Sequence, residues 1–353
     1  MIFGNQKSKA LYLVPGIMGS TLHMTGYTLS GVPVDEDVWS EDVYQIRRVL
    51  GTKPEMLASP NLAPKKVMKE LRGLFFPKID VYGGISDFCT SPNGLGLEED
   101  VTFFPFAYDW RFSCRESASK LIEFIEGKEA GSNREIIILA HSMGGIISRL
   151  ALIQNKSLLG RTSTLVQVAS PIGGSAKSYF SLKNRPELNP IFDNLWTISH
   201  KKDPVCRSEL LKAVSSFDSL YELLPPSECT ALMHYGGAYF NATHRGAWPN
   251  HLHVKLDHAE AIHCELKTSD QVLAKILQII YSDAFPTING YIVDDFFGVI
   301  SPMKPWPSGD STVPASSALA ASADCPRHSA RKNHGQLIAC SELKSKLMEV
   351  FAR

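Results

Sequence analysis

The sequence predicts an α/β chain, a mostly parallel sheet flanked by helices and elaborated by lid and cap insertions. Three observations carry this. Short apolar strands alternate with segments of helical period through the first half, the pattern of a parallel sheet with crossover helices. One serine, Ser142, sits at the joint between such a strand and such a helix. And 353 residues with 44% hydrophobic content suffice to bury an ample core, read here as a single domain over residues 1–353.

Taken in order, Leu11-Tyr12-Leu13-Val14 is a short buried strand ending at Pro15-Gly16, and the aromatic-rich Val101 to Phe106 is another. Ser113 then opens a helix. Ser113-x-x-Glu116 has the spacing of a capping box, and Ala118, Leu121, Ile122 and Ile125 share one helical face. Gly127 and Gly131 are candidate terminators. Ile136-Ile137-Ile138-Leu139 is the strand that runs into Ser142, and Ile146 to Leu152 is the helix that leaves it. Thr164 to Ala169 makes the next strand, closed by Pro171 to Gly174. Leu273, Ile276, Leu277 and Ile280 have the spacing of a further helix, and Leu343 to Phe351 of a terminal one.

Two stretches break the rhythm. Gly26 to Asp80 (26–80) shows no clean strand and sets Trp39, Leu71, Leu74, Phe75 and Phe76 among charges. Residues 175–243, from Ser175 to Thr243, are rich in Pro, Ser and Asn around Trp196, Tyr221 and Tyr235. Long insertions in α/β enzymes commonly lie over the active site. The first reads as a lid and the second as a cap; surface elaboration without gating is the other reading of the first. Phe75-Phe76 suits contact with a lipid surface or packing inside. No internal repeat or low-complexity tract is present.

Lys plus Arg and Asp plus Glu both number 36, and no basic stripe occurs, which argues against a nucleic-acid partner. No protein partner is evident. The first apolar stretch is cut short by Pro15-Gly16, so neither a secretory h-region nor a bilayer-spanning run is expected. The seven cysteines are scattered, odd in number and without a CxxC pair. They read as free thiols in a reducing, cytoplasmic setting, with a Cys325–Cys340 pair left open.

Ala140-His141-Ser142-Met143-Gly144-Gly145 between strand and helix has the form of the nucleophile elbow of the α/β-hydrolase fold. Ala140 stands where Gly is commoner, Gly144 permits the tight turn, and Gly145 permits close helix packing. A serine hydroxyl needs a base to take its proton and a carboxylate to hold that base in the right tautomer. In this fold they follow in the order serine, acid, histidine. His334 is the favoured base: it lies shortly before the terminal helix, and helix-like apolar spacing begins at Gly335-Gln336-Leu337-Ile338. His328, among Cys325, Pro326 and Arg327, lacks that context. For the acid, Asp310 in Ser308-Gly309-Asp310-Ser311-Thr312-Val313-Pro314 occupies a tight turn that can lock a carboxylate. Asp294 and Asp295 lie inside the run Tyr291 to Val299 with no turn to present them. A tetrahedral oxyanion requires backbone N–H donors. Met143 supplies one, and Met18 or Ile17, in the glycine-bounded loop Pro15 to Ser20, the other. No Gly-Lys-Ser/Thr follows that loop, which disfavours a nucleotide site.

Val14-Pro15-Gly16-Ile17-Met18-Gly19-Ser20, Tyr108-Asp109-Trp110-Arg111, the Ser142 elbow, Ser219-Leu220-Tyr221-Glu222-Leu223-Leu224-Pro225, Gly309-Asp310-Ser311-Thr312-Val313 and His334 occur in that order between residues 11 and 338. Together they resemble the lecithin:cholesterol acyltransferase family of α/β-hydrolases, which includes phospholipid acyltransferases and phospholipases. The resemblance implies a Ser142–Asp310–His334 triad, oxyanion donors at Met18 and Met143, and a mobile lid over an acyl pocket. The chain departs from the family at Ala140, in lacking the paired lid cysteines of the secreted animal enzymes, and in being shorter than they are. Their protein activator and sterol specificity are therefore not carried over.

Asp109 and Arg111 read as a structural ion pair beside a packed Trp110, which could still line the pocket together with Ile17. His251-x-His253, His258 and His263-Cys264, with Asp257 and Glu260, crowd a short stretch. On a strand, His251 and His253 would share a face and could ligate zinc, but the spacing is loose. Neither a metal nor a cofactor is expected. The expected chemistry is serine-dependent acyl transfer from a lipid-like ester, either to water or to an alcohol. A non-catalytic ligand-binding protein on a hydrolase scaffold, or a serine amidase, are the other readings.

Overall fold

Six strands, β1 (Lys9–Val14), β2 (Phe103–Pro105), β3 (Glu135–His141), β4 (Thr162–Val168), β5 (Leu277–Tyr281) and β6 (Arg327–Ser329), form one sheet in the order β6-β5-β4-β3-β1-β2. Every neighbouring pair runs parallel. This is a computed structural model, and it describes residues 8–27, 33–74, 76–183, 204–227, 231–234, 239–294, 299–303, 307–321 and 324–353. The chain places β2 on one side of β1 and β3 to β6 on the other. Strand order therefore reverses at β1, and ligands of open α/β sheets bind at the carboxyl ends of the strands beside such a reversal.

Both faces of the sheet are covered, which is why its strands read as near-continuous apolar runs. On one face Ala10, Tyr12, Ile136, Ile138 and Leu165 pack against helices α1 (Cys114–Lys128) and α2 (Met143–Gln154) through Leu121, Ile125, Ile146 and Leu150. On the other, Leu11, Leu13, Ile137, Leu139 and Val166 meet Ile85 and Cys89 of the helix Gly83–Thr90. The same face is closed by Leu343, Leu347 and Val350 of the last helix, Ser341–Ala352.

Three local expectations change. The apolar spacing at Leu273, Ile276, Leu277 and Ile280 belongs to no single helix: Asp270–Leu273 is one helical turn, and Leu277–Tyr281 is β5. A central parallel strand is apolar on both faces, so its residues satisfy helical spacing by accident. The stretch 26–80 is not strand-poor. Ser20–Tyr27 pairs antiparallel with Pro33–Trp39 and with Leu62–Val67, and Glu70–Gly73 pairs with Phe76–Asp80 as a hairpin. In Leu62–Val67 only the end residues are buried, so hydrophobic alternation could not reveal the strand. Finally, Ser113 does cap α1, accepting from the Arg115 N–H, but Glu116 does not close a capping box. The carboxylate of Glu222 takes over, accepting from Ser113 Oγ and the Cys114 N–H, both at 2.6 Å.

The stretch 175–243 contains helices Ala176–Lys183, Pro204–Ser215 and Asp218–Glu222. Trp196, Tyr235, Phe75 and Asp295 lie outside the described residues, as does the side chain of Phe76. Cys325 and Cys340 are not joined in a disulfide.

The sheet and α2 approach one another too closely for side chains. A Cβ on Gly144 would lie 2.3 Å from the Val14 carbonyl oxygen, and one on Gly145 would lie 2.0 Å from Ser170 Oγ. We expect Gly144→Ala to destabilise the fold by about 1–3 kcal/mol, because a backbone carbonyl cannot step aside. Urea denaturation measures this; an unchanged midpoint would show that the helix can shift freely.

Candidate active site

β3 ends at His141, and α2 starts at Met143, leaving Ser142 alone in the joint. Its backbone sits at φ 54°, ψ −128°, a strained conformation for a residue with a side chain, costing on the order of 1–3 kcal/mol. Neighbouring contacts enforce it. The Ser142 N–H donates to the Val168 carbonyl at 2.9 Å, and its own carbonyl accepts from the Gly145 N–H at 2.9 Å. Gly16 passes so close that a Cβ there would lie 2.7 Å from the Ser142 Cβ.

Asp310 and His334 come from two further loops. Asp310 is 2% exposed. One of its carboxylate oxygens accepts from the N–H groups of Thr312 and Val313 at 2.9 and 2.7 Å, the turn that Ser311 permits at φ 77°. The other oxygen lies 2.8 Å from His334 Nδ1. His334 follows β6 and opens a single helical turn, His334–Leu337, capped by Asn333. Its N–H donates to the Asp310 carbonyl at 2.9 Å, so backbone and side chain both tie the imidazole to the aspartate. His334 Nε2 then lies 3.0 Å from Ser142 Oγ. The structure thus brings the three sequence-selected side chains into one hydrogen-bonded line. His328 lies on β6 instead.

The loop after β1 is held from behind by aromatic side chains. Tyr108 Oη donates to the Pro15 carbonyl at 2.9 Å, Trp39 Nε1 to the Met18 carbonyl at 3.1 Å, and Trp110 Nε1 to the Ser20 carbonyl at 3.0 Å. Met18 adopts φ 63°. Ile17 and Met18 line the cleft that Ser142 and His334 open into. Met143 is the first residue of α2, so its N–H is among those that a helix start leaves without an intrahelical acceptor. Trp110 does not line the cleft. It is 1% exposed and packed edge-on between Trp39 and Phe217, with ring centroids 5.4 and 5.7 Å away. Its place is behind the loop, because its indole N–H finds a backbone partner there. Asp109 and Arg111 form the buried ion pair read from the sequence, at 2.6 and 2.9 Å, and Arg111 also donates to the carbonyls of Leu57 and Ser59.

The cleft is open to solvent at its mouth. Ile17, Met18, Leu71, Val81, Leu223 and Val313 give it apolar walls. Two residues that carried no sequence signal of their own stand beside Ser142. Tyr82 Oη lies 2.8 Å from His141 Nδ1, and His141 Nε2 lies 3.2 Å from the His334 carbonyl oxygen. The position of His141 beside the serine could have flagged it, but nothing in a single sequence marks Tyr82.

The histidine-rich stretch is not a strand. His251 lies in a 3-10 turn and His253 starts a long helix, α3 (His253–Thr268). His253 Nε2 faces the carbonyls of Arg245 and Trp248, and the ring nitrogens of His263 face those of Ile172 and Leu224. Among the described residues no three His, Cys, Asp or Glu side chains gather as metal ligands would.

Residues 77–230 match the family model for lecithin:cholesterol acyltransferase. The resemblance drawn from the motifs thus holds over this stretch, and it supports activity on ester bonds, by hydrolysis or by acyl transfer. No curated protein matches the sequence significantly. Among solved structures, a chain of the crystal structure of a Tle4–Tli4 complex is similar at TM-score 0.61 and 14% identity, over 98% of both chains. The mature form of the lipase BlEst2 from Bacillus licheniformis aligns at TM-score 0.42 and 10% identity, over 99% of this chain and 95% of that one. At 14% identity the first of these likenesses is one of fold alone. With its parallel sheet, its strand-order reversal and its elbow, the fold is that of the α/β-hydrolases.

Burial, and secondarily the nearby His334, pushes the pKa of His141 down from 6.5 to about 3. In the unfolded chain that imidazole takes a proton near pH 6.5, whereas the folded one stays neutral until about pH 3. The unfolded state binds more protons across this window, so stability rises with pH through it. We expect the urea midpoint to climb between about pH 4 and about pH 7, and His141→Gln to flatten that climb. An identical slope in the variant would contradict neutral burial of His141.

Proposed function

We propose, for a chain that carries the α/β-hydrolase fold and resembles the lecithin:cholesterol acyltransferase family over residues 77–230, serine-dependent acyl transfer from lipid-like esters through a covalent acyl-enzyme. The observation that carries this reading is the unbroken line Ser142 Oγ–His334 Nε2 at 3.0 Å and His334 Nδ1–Asp310 Oδ2 at 2.8 Å, at the wall of an apolar cleft.

His334 removes the Ser142 proton as Oγ attacks the ester carbonyl. Asp310 accepts from His334 Nδ1–H, which fixes the tautomer and stabilises the imidazolium. The N–H groups of Met18 and Met143 receive the oxyanion, each worth about 10²–10³ in rate. His334 returns the proton to the departing alcohol. Water or a second alcohol then gives its proton to His334 as its oxygen attacks the acyl carbon, and His334 passes that proton to Ser142 Oγ as the acyl–oxygen bond breaks. Which acceptor prevails depends on how far the closed cleft excludes water. Amide cleavage would use the same groups, but the family match favours esters. A purely binding role leaves the strained serine and its aligned partners without a purpose.

The insertion 26–80 serves as a lid in this reading, and the segment 175–243 as a cap. Leu71, Asp80, Val81 and Tyr82, at the base of the 70–80 hairpin, line the cleft, while Leu74 at its tip is 83% exposed between the exposed cations Arg72 and Lys78. The exposed apolar tip supports contact with a lipid surface, and the cleft-lining base supports guarding of the ester. Among the described residues no helix is long and apolar enough to cross a membrane.

With p-nitrophenyl esters of graded chain length, Ser142→Ala should lower kcat by about 10⁴-fold or more and Asp310→Asn by about 10³–10⁴-fold. A fluorophosphonate probe should label the wild type and not Ser142→Ala. Turnover that survives Ser142→Ala would remove the serine from the mechanism. Separately, Leu74→Asp should reduce co-flotation with phosphatidylcholine vesicles while sparing hydrolysis of a soluble short-chain ester. Equal flotation of the variant and the wild type would exclude the hairpin tip as the contact.

A further inference from the structure

The Gly16 N–H donates to Tyr82 Oη at 2.7 Å, Tyr82 Oη lies 2.8 Å from His141 Nδ1, and His141 Nε2 lies 3.2 Å from the His334 carbonyl oxygen. With a neutral imidazole, one arrangement of protons satisfies all three contacts. A carbonyl cannot donate, so His141 Nε2 must carry a hydrogen. A neutral imidazole then has an acceptor at Nδ1. Tyr82 must therefore donate to Nδ1, which leaves its oxygen lone pairs free to accept from Gly16. Burial of both side chains agrees with this: His141 is held neutral, and burial pushes the phenol of Tyr82 well above its usual range.

We propose that Tyr82 and His141 are positioning residues that fasten the loop carrying the Met18 oxyanion donor to the loop carrying the base, through a hydrogen-bonded chain of fixed direction running from the Gly16 N–H to the His334 carbonyl. The proposal rests on the acyl-transfer reading above. Gly16 immediately precedes Ile17 and Met18, and its backbone lies against Ser142. His334 is itself the base. The chain passes through the residue next to the nucleophile, with the His141 and His334 rings 4.9 Å apart. It therefore sets the separation between the base and the Met18 oxyanion donor from the wall of the cleft.

Its geometry also gives the hairpin a handle on the site. Tyr82 lies two residues beyond the strand Phe76–Asp80, and its N–H donates at 3.1 Å to the carbonyl of Lys69, the residue that leads into the hairpin. A displacement of the hairpin base therefore moves the acceptor of the Gly16 N–H.

Tyr82→Phe removes one oxygen atom and preserves the ring, leaving Gly16 and His141 Nδ1 unpartnered. Kinetics with a soluble p-nitrophenyl ester should show kcat reduced about tenfold with KM changed less than about twofold, since misplaced donors weaken the transition state more than the bound ester. Affinity for a trifluoromethyl ketone, whose adduct carries the oxyanion, should fall by the same factor as kcat. His141→Gln, which keeps a donor for the His334 carbonyl, should retain more activity than His141→Leu. Nitrogen-15 NMR of the wild type should show His141 as the neutral Nε2–H tautomer. A role limited to packing would move none of these readouts in that pattern. If the wild type is labelled at Ser142 by a fluorophosphonate and Tyr82→Phe keeps kcat and ketone affinity within about twofold, the positioning role is overturned alone. If His141 is found as the Nδ1–H tautomer, the direction of the chain is wrong and the proposal fails irrespective of activity. An unlabelled but folded wild type overturns the acyl-transfer reading and this role together.

Discussion

The close approach of three backbone segments around Ser142 constrains the rest of the molecule. The end of β1, the start of α2 and the turn after β4 converge where a methyl group at Gly16, Gly144 or Gly145 would collide with its neighbours. Because no side chain intervenes, the serine is lifted into a positive-φ conformation that it would not adopt alone. Its hydroxyl is thereby presented at the carboxyl ends of the strands, beside the reversal of strand order. The strain is sustained by the buried sheet behind it, whose central strands are covered by helices on both faces.

Around this point the structure uses buried polar contacts to fix loops, since loops have no ladder of their own. Asp310 is caged by two backbone N–H groups before it meets His334. The loop after β1 is pinned by donors from Trp39, Tyr108 and Trp110, and the start of α1 by Glu222. In each case a buried group that would be costly to leave unpaired finds a backbone partner, near in sequence for Asp310 and distant for the others. The Tyr108-Asp109-Trp110-Arg111 motif is accounted for in the same way. All four residues act on backbone, with Arg111 bridging Asp109 to the carbonyls of Leu57 and Ser59, and Trp110 standing behind the loop rather than in the cleft.

The sheet was legible where strands are buried and turns are marked. Leu11–Val14, the strand into Ser142 and the one closed by Pro171 stand where their apolar runs and glycines put them. The convergence of Asp310 and His334 on Ser142 was also legible, because a turn rich in small polar residues and a histidine ahead of the last helix are local signals. Features that depend on distant partners were not. Leu277–Tyr281 imitates a helix because both of its faces are covered. The charged strands of the first insertion pair through backbone alone. His251 and His253 resembled a strand pair because spacing does not distinguish a helix start. Tyr82 gains its meaning from a contact with His141, some sixty positions away in sequence, and a single chain holds no trace of that contact.

The central claim is that the Ser142 hydroxyl, activated by His334, becomes covalently acylated during turnover. Rapid acid quenching during hydrolysis of p-nitrophenyl octanoate, followed by peptide mass spectrometry, tests it most directly. An octanoyl group on the peptide bearing Ser142, absent when His334 is replaced by alanine, is the expected result. Undiminished turnover with that peptide unmodified at every quench time, or an acyl group captured on another residue, would contradict it.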